Sequence, residues 1–351
     1  MTTIRTTAQL LEAGMIEPEK IKKLEEVTKK FAVSLTPQLT ELINLEVTGT
    51  SMAIRKQFLP DEQELIVNAA ELKDPIGDTV FEGVKGVVHR YPDRCLLMPI
   101  NTCPVYCRFC FRREKVGKND SALTKEELER AFSYIESQPK IWEVILTGGD
   151  PLFLKPKKLN ELLNRLDRIP HVEVVRIHTR VPAVDSARIT EEMINALKIN
   201  KALYVALHAN HASEFTEPVR AACAKIVNAG IPMISQTVLL KGINDTPEAL
   251  GDLMRTLVKN RIKPYYLHHA DLAEGTSHFR TTLEEGRHLM KSLWGNYSGL
   301  CQPTYVLDIP GGHGKVPVSC HQYFSAEEVS GSAAESYRVE DYQGKFHSYK
   351  A

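Results

Sequence analysis

The sequence predicts an α/β fold: a partial (β/α)6 TIM-like barrel over residues 75–295, with a helical extension over 1–74 and a distinct C-terminal segment over 296–351. Three observations predict it. Apolar runs alternate six times with stretches of helical period, and successive parallel strands need such crossover helices. No dinucleotide-binding fingerprint opens the series, which suits a barrel better than a doubly wound sheet. Beyond about residue 300 the rhythm stops and a glycine-rich run follows.

Taken in order, Glu19–Phe31 is charge-rich, with Ile21, Leu24 and Val27 at helical spacing. Thr36-Pro37 reads as a cap followed by proline at the first helical position, opening a helix through Leu42. A looser stretch follows, with Pro60, Pro75 and Gly77. Strands are expected at Cys95–Ile100, Trp142–Thr147, Val172–Ile177, Leu203–Leu207, Met233–Leu240 and Lys263–His268. Helices are expected at Lys125–Ser137, Lys158–Ile169, Glu191–Lys198, Glu217–Ala229, Pro247–Lys259 and Leu283–Leu293. In such a barrel the active site lies at the C-terminal ends of the strands.

Composition narrows the class. Lys+Arg and Asp+Glu number 44 each, so no basic excess points to nucleic acid or an anionic membrane. Seven cysteines (95, 103, 107, 110, 223, 301, 320) are an odd number with only three clustered, which is not a disulfide framework. Reduced thiols imply the cytoplasm. The N-terminus lacks a signal-peptide pattern, and no apolar run reaches membrane-spanning length.

Three motifs carry chemistry. Cys103, Cys107 and Cys110 stand at C-x3-C-x2-C directly after the first strand. A structural zinc needs a fourth ligand at short range, and none is evident. Three thiolates suit a [4Fe–4S] cluster with one iron left open to a ligand. A zinc-knuckle nucleic-acid binder is the rival reading, opposed by the missing ligand and the zero net charge. After the second strand, Gly148-Gly149-Asp150 would let backbone approach a ligand, with Asp150 accepting from an ammonium; an ordinary turn reads the same. Gln236 lies in a polar triplet within an apolar strand, and His208 ends the fourth strand near His211. The run Asp308-Ile-Pro-Gly-Gly-His-Gly-Lys315 does not fit a phosphate loop, because Val316 follows the lysine. A solvated turn and a lysine amine offered to an aldehyde both remain open.

The C-x3-C-x-aromatic-C run resembles the radical S-adenosylmethionine (SAM) signature. Together with His89–Arg94, 147–150, Pro264-Tyr265-Tyr266, Asp271-Leu272, His278–Arg280 and 308–315, it resembles the lysine 2,3-aminomutase family over roughly residues 75–320. The resemblance implies a [4Fe–4S] cluster on Cys103, Cys107 and Cys110, with SAM near Gly148, Gly149, Asp150, His208 and Gln236. It implies pyridoxal 5′-phosphate (PLP) held by Lys315 as a Schiff base, with Arg90 and Arg94 on its phosphate. Arg112 would grip the substrate carboxylate, and Asp271 and Asp308 the ε-ammonium of lysine. The implied reaction converts L-lysine to L-β-lysine by a radical 1,2-amino shift, with electrons from a donor such as flavodoxin or ferredoxin. Alternatives are a lysine aminomutase serving elongation factor P, suggested by His268 where the lysine enzymes have tyrosine, or one acting on another amino acid. The zinc-binding tail of larger members is not found, and Thr246 stands where the neighbouring subunit's cysteine would be. No zinc is expected, and a homo-oligomer, which the resemblance implies, would lack the contact that zinc supports in larger members.

Overall fold

The computed structural model describes residues 2–44, 50–117, 122–319, 324–327, 336–341 and 343–350; Cys320 lies outside them. Its centre is a ten-stranded sheet whose strands lie in chain order. They are β1 (Glu82–Val84), β2 (Val87–Tyr91), β3 (Arg94–Ile100), β4 (Glu143–Gly148), β5 (Val174–Thr179), β6 (Ala202–His208), β7 (Met233–Leu239), β8 (Ile262–His269), β9 (Thr304–Ile309) and β10 (Gly314–Pro317). Strands β3 to β9 are parallel, while β1, β2 and β10 pair antiparallel at the two edges. The edges do not pair with each other, so the barrel is open.

Six of the parallel strands match the expected ones within two residues at either end. The seventh, β9, comes from the segment read as distinct from residue 296. It pairs Tyr266 with Thr304, so β9 and β10 extend the barrel sheet. Six residues with Asp308 among them carry too weak an apolar pattern to mark a strand.

The crossover helices form where the apolar period and the caps agree. Lys125–Ser137 buries Leu128, Ala131, Phe132 and Ile135, spaced to make one face, and a Thr124–Glu127 capping box starts it. Leu283–Leu293 uses the same device with Thr282 and Glu285. Pro247–Lys259 opens with proline at its first position, and the Thr246 hydroxyl accepts from the Ala249 N–H at 3.2 Å. Thr246 therefore has a structural task as a cap.

The N-terminal extension lies against the barrel. Thr36 Oγ donates to the Val184 carbonyl at 2.5 Å and Gln38 Nε2 to the Ala183 carbonyl at 2.9 Å. Helix Ile21–Lys30 buries Leu24 and Val27, and helix Pro37–Asn44 buries Leu39, Leu42 and Ile43. Each such side chain contributes about 1.5–3 kcal/mol on burial. Among the described residues, no helix is long and apolar enough to cross a membrane.

Candidate active site

A cavity of about 760 Å³ runs inside the barrel, and the cysteine triplet and Lys315 both line it. Arg90, Arg94, Arg112, Gly148, Gly149, Asp150, His208, Gln236, Asp271 and Asp308 line it as well, whereas His211 does not.

The cysteines sit in the loop after β3, half-buried. The glycines after β4 explain how that loop is seated. The Gly149 N–H donates to the Ile100 carbonyl at 2.6 Å, and the Asp150 N–H to the Thr102 carbonyl at 3.1 Å. A Cβ on Gly149 would stand 2.5 Å from Thr102 N, and Gly148 has φ +100°. Asp150 is already engaged: its carboxylate accepts from Thr179 Oγ (2.7 Å) and from the N–H groups of Leu152 (3.1 Å), Arg180 (2.7 Å) and Val181 (3.1 Å). It ties the β4 turn to the loop after β5.

Lys315 lies on β10 directly opposite Asp308 on β9. Its ammonium pairs with Asp308 and stands 3.3 Å from His268 Nδ1 on β8. Burial opposes the charge on Asp308, but His268 and Lys315 outweigh it and hold the carboxyl far below the usual range. Asp271 goes the other way: burial and the neighbouring Asp308 charge push it up to about 7. The glycine run is the β9–β10 turn. A Cβ on Gly77 would meet Gly312 N at 2.5 Å, so two glycines let the turn lie against the 74–78 loop. That close packing accounts for Gly77 and Gly312.

The arginines are organised by Asp78, which the sequence reading did not single out. Arg112 donates to Asp78 Oδ2 from Nε (3.0 Å) and Nη2 (2.7 Å), and Arg90 Nη2 donates to Asp78 Oδ1 at 3.2 Å. Arg94 lies over the Tyr91 ring at 3.9 Å and pairs with Asp93 at 2.6 Å. The Tyr91 hydroxyl in turn accepts from the Lys315 N–H at 2.8 Å, joining the His89–Arg94 motif to the lysine strand. Gln236 Nε2 meets His178 Nε2 at 3.1 Å, and His178 packs edge-on to His208. Burial lowers both histidines, His208 to about 3, so both rings are neutral near pH 7. His178 was also missed, although its place at the C-terminal end of a barrel strand is the signal that finds it. His211 instead accepts from the Ser213 N–H in a local turn.

A radical SAM superfamily model matches residues 97–255. An L-lysine 2,3-aminomutase of Acetoanaerobium sticklandii is 39% identical over 90% of this chain and 76% of its own. The chain belongs to the lysine 2,3-aminomutase family. An L-lysine 2,3-aminomutase of Methanococcus maripaludis is 40% identical over 87% of this chain and 70% of its own. A glutamate 2,3-aminomutase of Clostridioides difficile is 36% identical over 91% of this chain and 74% of its own. The protein is therefore a radical SAM aminomutase, an isomerase that uses a [4Fe–4S] cluster and SAM.

The donor set of this aminomutase fits the cluster. Cys103, Cys107 and Cys110 all line the cavity, and three thiolates suit a [4Fe–4S] cube with one iron left open to a ligand. Burial pushes Cys107 up to about 11, and Cys103 and Cys110 also upward, so binding iron must displace protons from them. Gly149→Ala should lower iron content and thermal stability together, by about 1–3 kcal/mol, because Thr102 backbone cannot yield to a methyl group. Full cluster loading with an unchanged melting curve would overturn that account.

Proposed function

We propose that this aminomutase interconverts L-lysine and L-β-lysine with PLP held on Lys315, drawing electrons from a small carrier of the flavodoxin or ferredoxin type. The observation that carries this reading is one cavity lined by the cysteine triplet and by Lys315, with room for an amino acid between. The residues fit PLP: an amine for its aldehyde, with Arg90 and Arg94 on the same cavity for its phosphate. When bound, PLP supplies an imine π-system along which nitrogen can pass between adjacent carbons. When bound, the cluster and SAM would supply radical chemistry for hydrogen-atom removal and return.

The chain's own residues do the binding and orienting. Arg112 offers a planar fork for the substrate carboxylate once it leaves Asp78. Asp271 and Asp308 offer negative charge to an ε-ammonium brought out of water. The same pair repels the side-chain carboxylate of glutamate, which favours lysine over it. Turnover of lysine, arginine and glutamate by the reconstituted enzyme is the direct test. Glutamate as the preferred substrate would sink the lysine assignment.

A pH dependence follows from Asp271. Its folded value, near 7, lies above the ordinary 3.8. The empty protein therefore loses stability as pH rises from about 4 through 7, while the ammonium site gains its second charge over the top of that range. KM for lysine should fall about 3- to 10-fold between pH 6 and 8. Asp271→Asn should flatten that profile, raise KM, and melt higher than the parent protein when empty at pH 8. A variant with the parental pH profile would remove Asp271 from the site.

A further inference from the structure

Arg180 follows β5 and is 7% exposed. Its guanidinium is held at several points. Nη2 donates to Gln57 Oε1 at 2.6 Å and to Glu214 Oε2 at 2.7 Å, while Nη1 lies 3.6 Å from Cys107 Sγ. Phe58 and Phe109 flank it, with ring centroids at 4.7 and 5.6 Å. The holders are themselves fixed. Gln57 and Glu214 are 0% and 1% exposed. Gln57 Nε2 donates to Glu214 Oε1 at 3.2 Å, and Glu214 Oε1 accepts from the N–H groups of Asn210 (2.8 Å) and His211 (3.0 Å). The contacts to Nη2 orient the guanidinium so that Nη1 faces the cysteine sulfur. An arginine recruited only for packing needs no contact with a ligating thiolate.

We propose that Arg180 is a positioning residue that sets the cluster's reduction potential by donating an N–H···S hydrogen bond to Cys107, with Glu214 offsetting part of its charge. The step it tunes is a single electron transfer. A one-electron carrier, dithionite in the assay, loses one electron, and the cluster gains one unit of negative charge. No proton moves, because a guanidinium stays charged throughout. Positive charge and N–H donors at a ligating sulfur favour the more negative cluster, and water-poor surroundings strengthen the effect. The neighbouring carboxylate acts in the opposite sense. The pair thus places the cluster between two limits, and each residue moves it in its own direction.

The test is an electron paramagnetic resonance titration of the reconstituted holoenzyme, with iron content measured on each sample. Arg180→Met should lower the midpoint, so that at a fixed potential the ratio of reduced to oxidised cluster falls at least about tenfold, ~59 mV for one electron. Arg180→Lys should recover part of that shift. Glu214→Gln should move the midpoint upward. If Arg180→Met fails to hold the cluster, Arg180→Lys and Glu214→Gln decide the matter. A merely structural role changes iron content and melting temperature and leaves the midpoint of the loaded fraction unmoved. Unmoved midpoints, or shifts of the same sign in the arginine and glutamate variants, overturn the proposal.

Discussion

Lys315→Ala should abolish lysine turnover, by about three orders of magnitude or more, while the iron–sulfur absorbance stays intact. Losses of that size accompany removal of a group that bonds covalently in a reaction. The geometry separates the two halves of this prediction. Lys315 is on β10, at the far edge of the sheet from the cysteine loop after β3, and the two meet only across the cavity. The polar contacts of Lys315 are to Tyr91, His268 and Asp308, so truncating it leaves the cysteine loop's own hydrogen bonds in place. It also leaves Asp308 without its ammonium partner, so lost activity alone has two explanations. Lys315→Arg distinguishes them: it keeps a cation beside Asp308 but cannot form the bond to an aldehyde. Both variants should be inactive, and neither should show the absorbance of a lysine-bound PLP imine. Full turnover in either one would refute the assignment of Lys315.

The second large effect concerns stability. Glu64 is 0% exposed and bridges two arginines of the cluster loop. Arg108 donates to it from Nε at 2.9 Å and from Nη2 at 2.6 Å, and Arg113 forms a further ion pair. Arg108 and Arg113 lie on either side of Cys110 in the chain, so the carboxylate braces the segment that carries the third cysteine. Burial opposes the charge on Glu64, but Arg108, with Arg113 adding to it, outweighs this and holds the carboxyl below its usual range. Its contribution is accordingly present above the ordinary glutamate range and fades as acid takes the pH below it. Glu64→Gln leaves two buried guanidiniums facing a neutral amide, and breaking such a pair costs about 3–5 kcal/mol. For a chain of this size the melting temperature should fall by roughly 5–10 °C. Cluster content should fall with it. A melting temperature within a degree of the parent would show that the clamp is dispensable.

Much of this protein was legible before any fold was known, and the reason is locality. The alternation of strands and helices depends on side-chain period within a dozen residues, and Lys125–Ser137, Pro247–Lys259 and Leu283–Leu293 occur with the expected bounds. The cysteine triplet is legible because its three members share one short loop. Lys315 and Asp308 stand seven residues apart, close enough for a motif to hold both, although the run alone left a solvated turn equally open.

What only the tertiary structure decided lies between residues far apart in the chain. Asp78 joins Arg90 to Arg112, Glu64 joins Arg108 to Arg113, and Glu214 holds Arg180 against Cys107. In the sequence each of these acids looks like any of the 44 Asp and Glu residues, nearly all of which could lie in solvent. Burial gives them their roles, because a charge removed from water must find a partner, and only the closed barrel determines which partner is within reach. Local pattern thus set the framework and named the chemistry, while long-range electrostatics chose the charges that hold it in place.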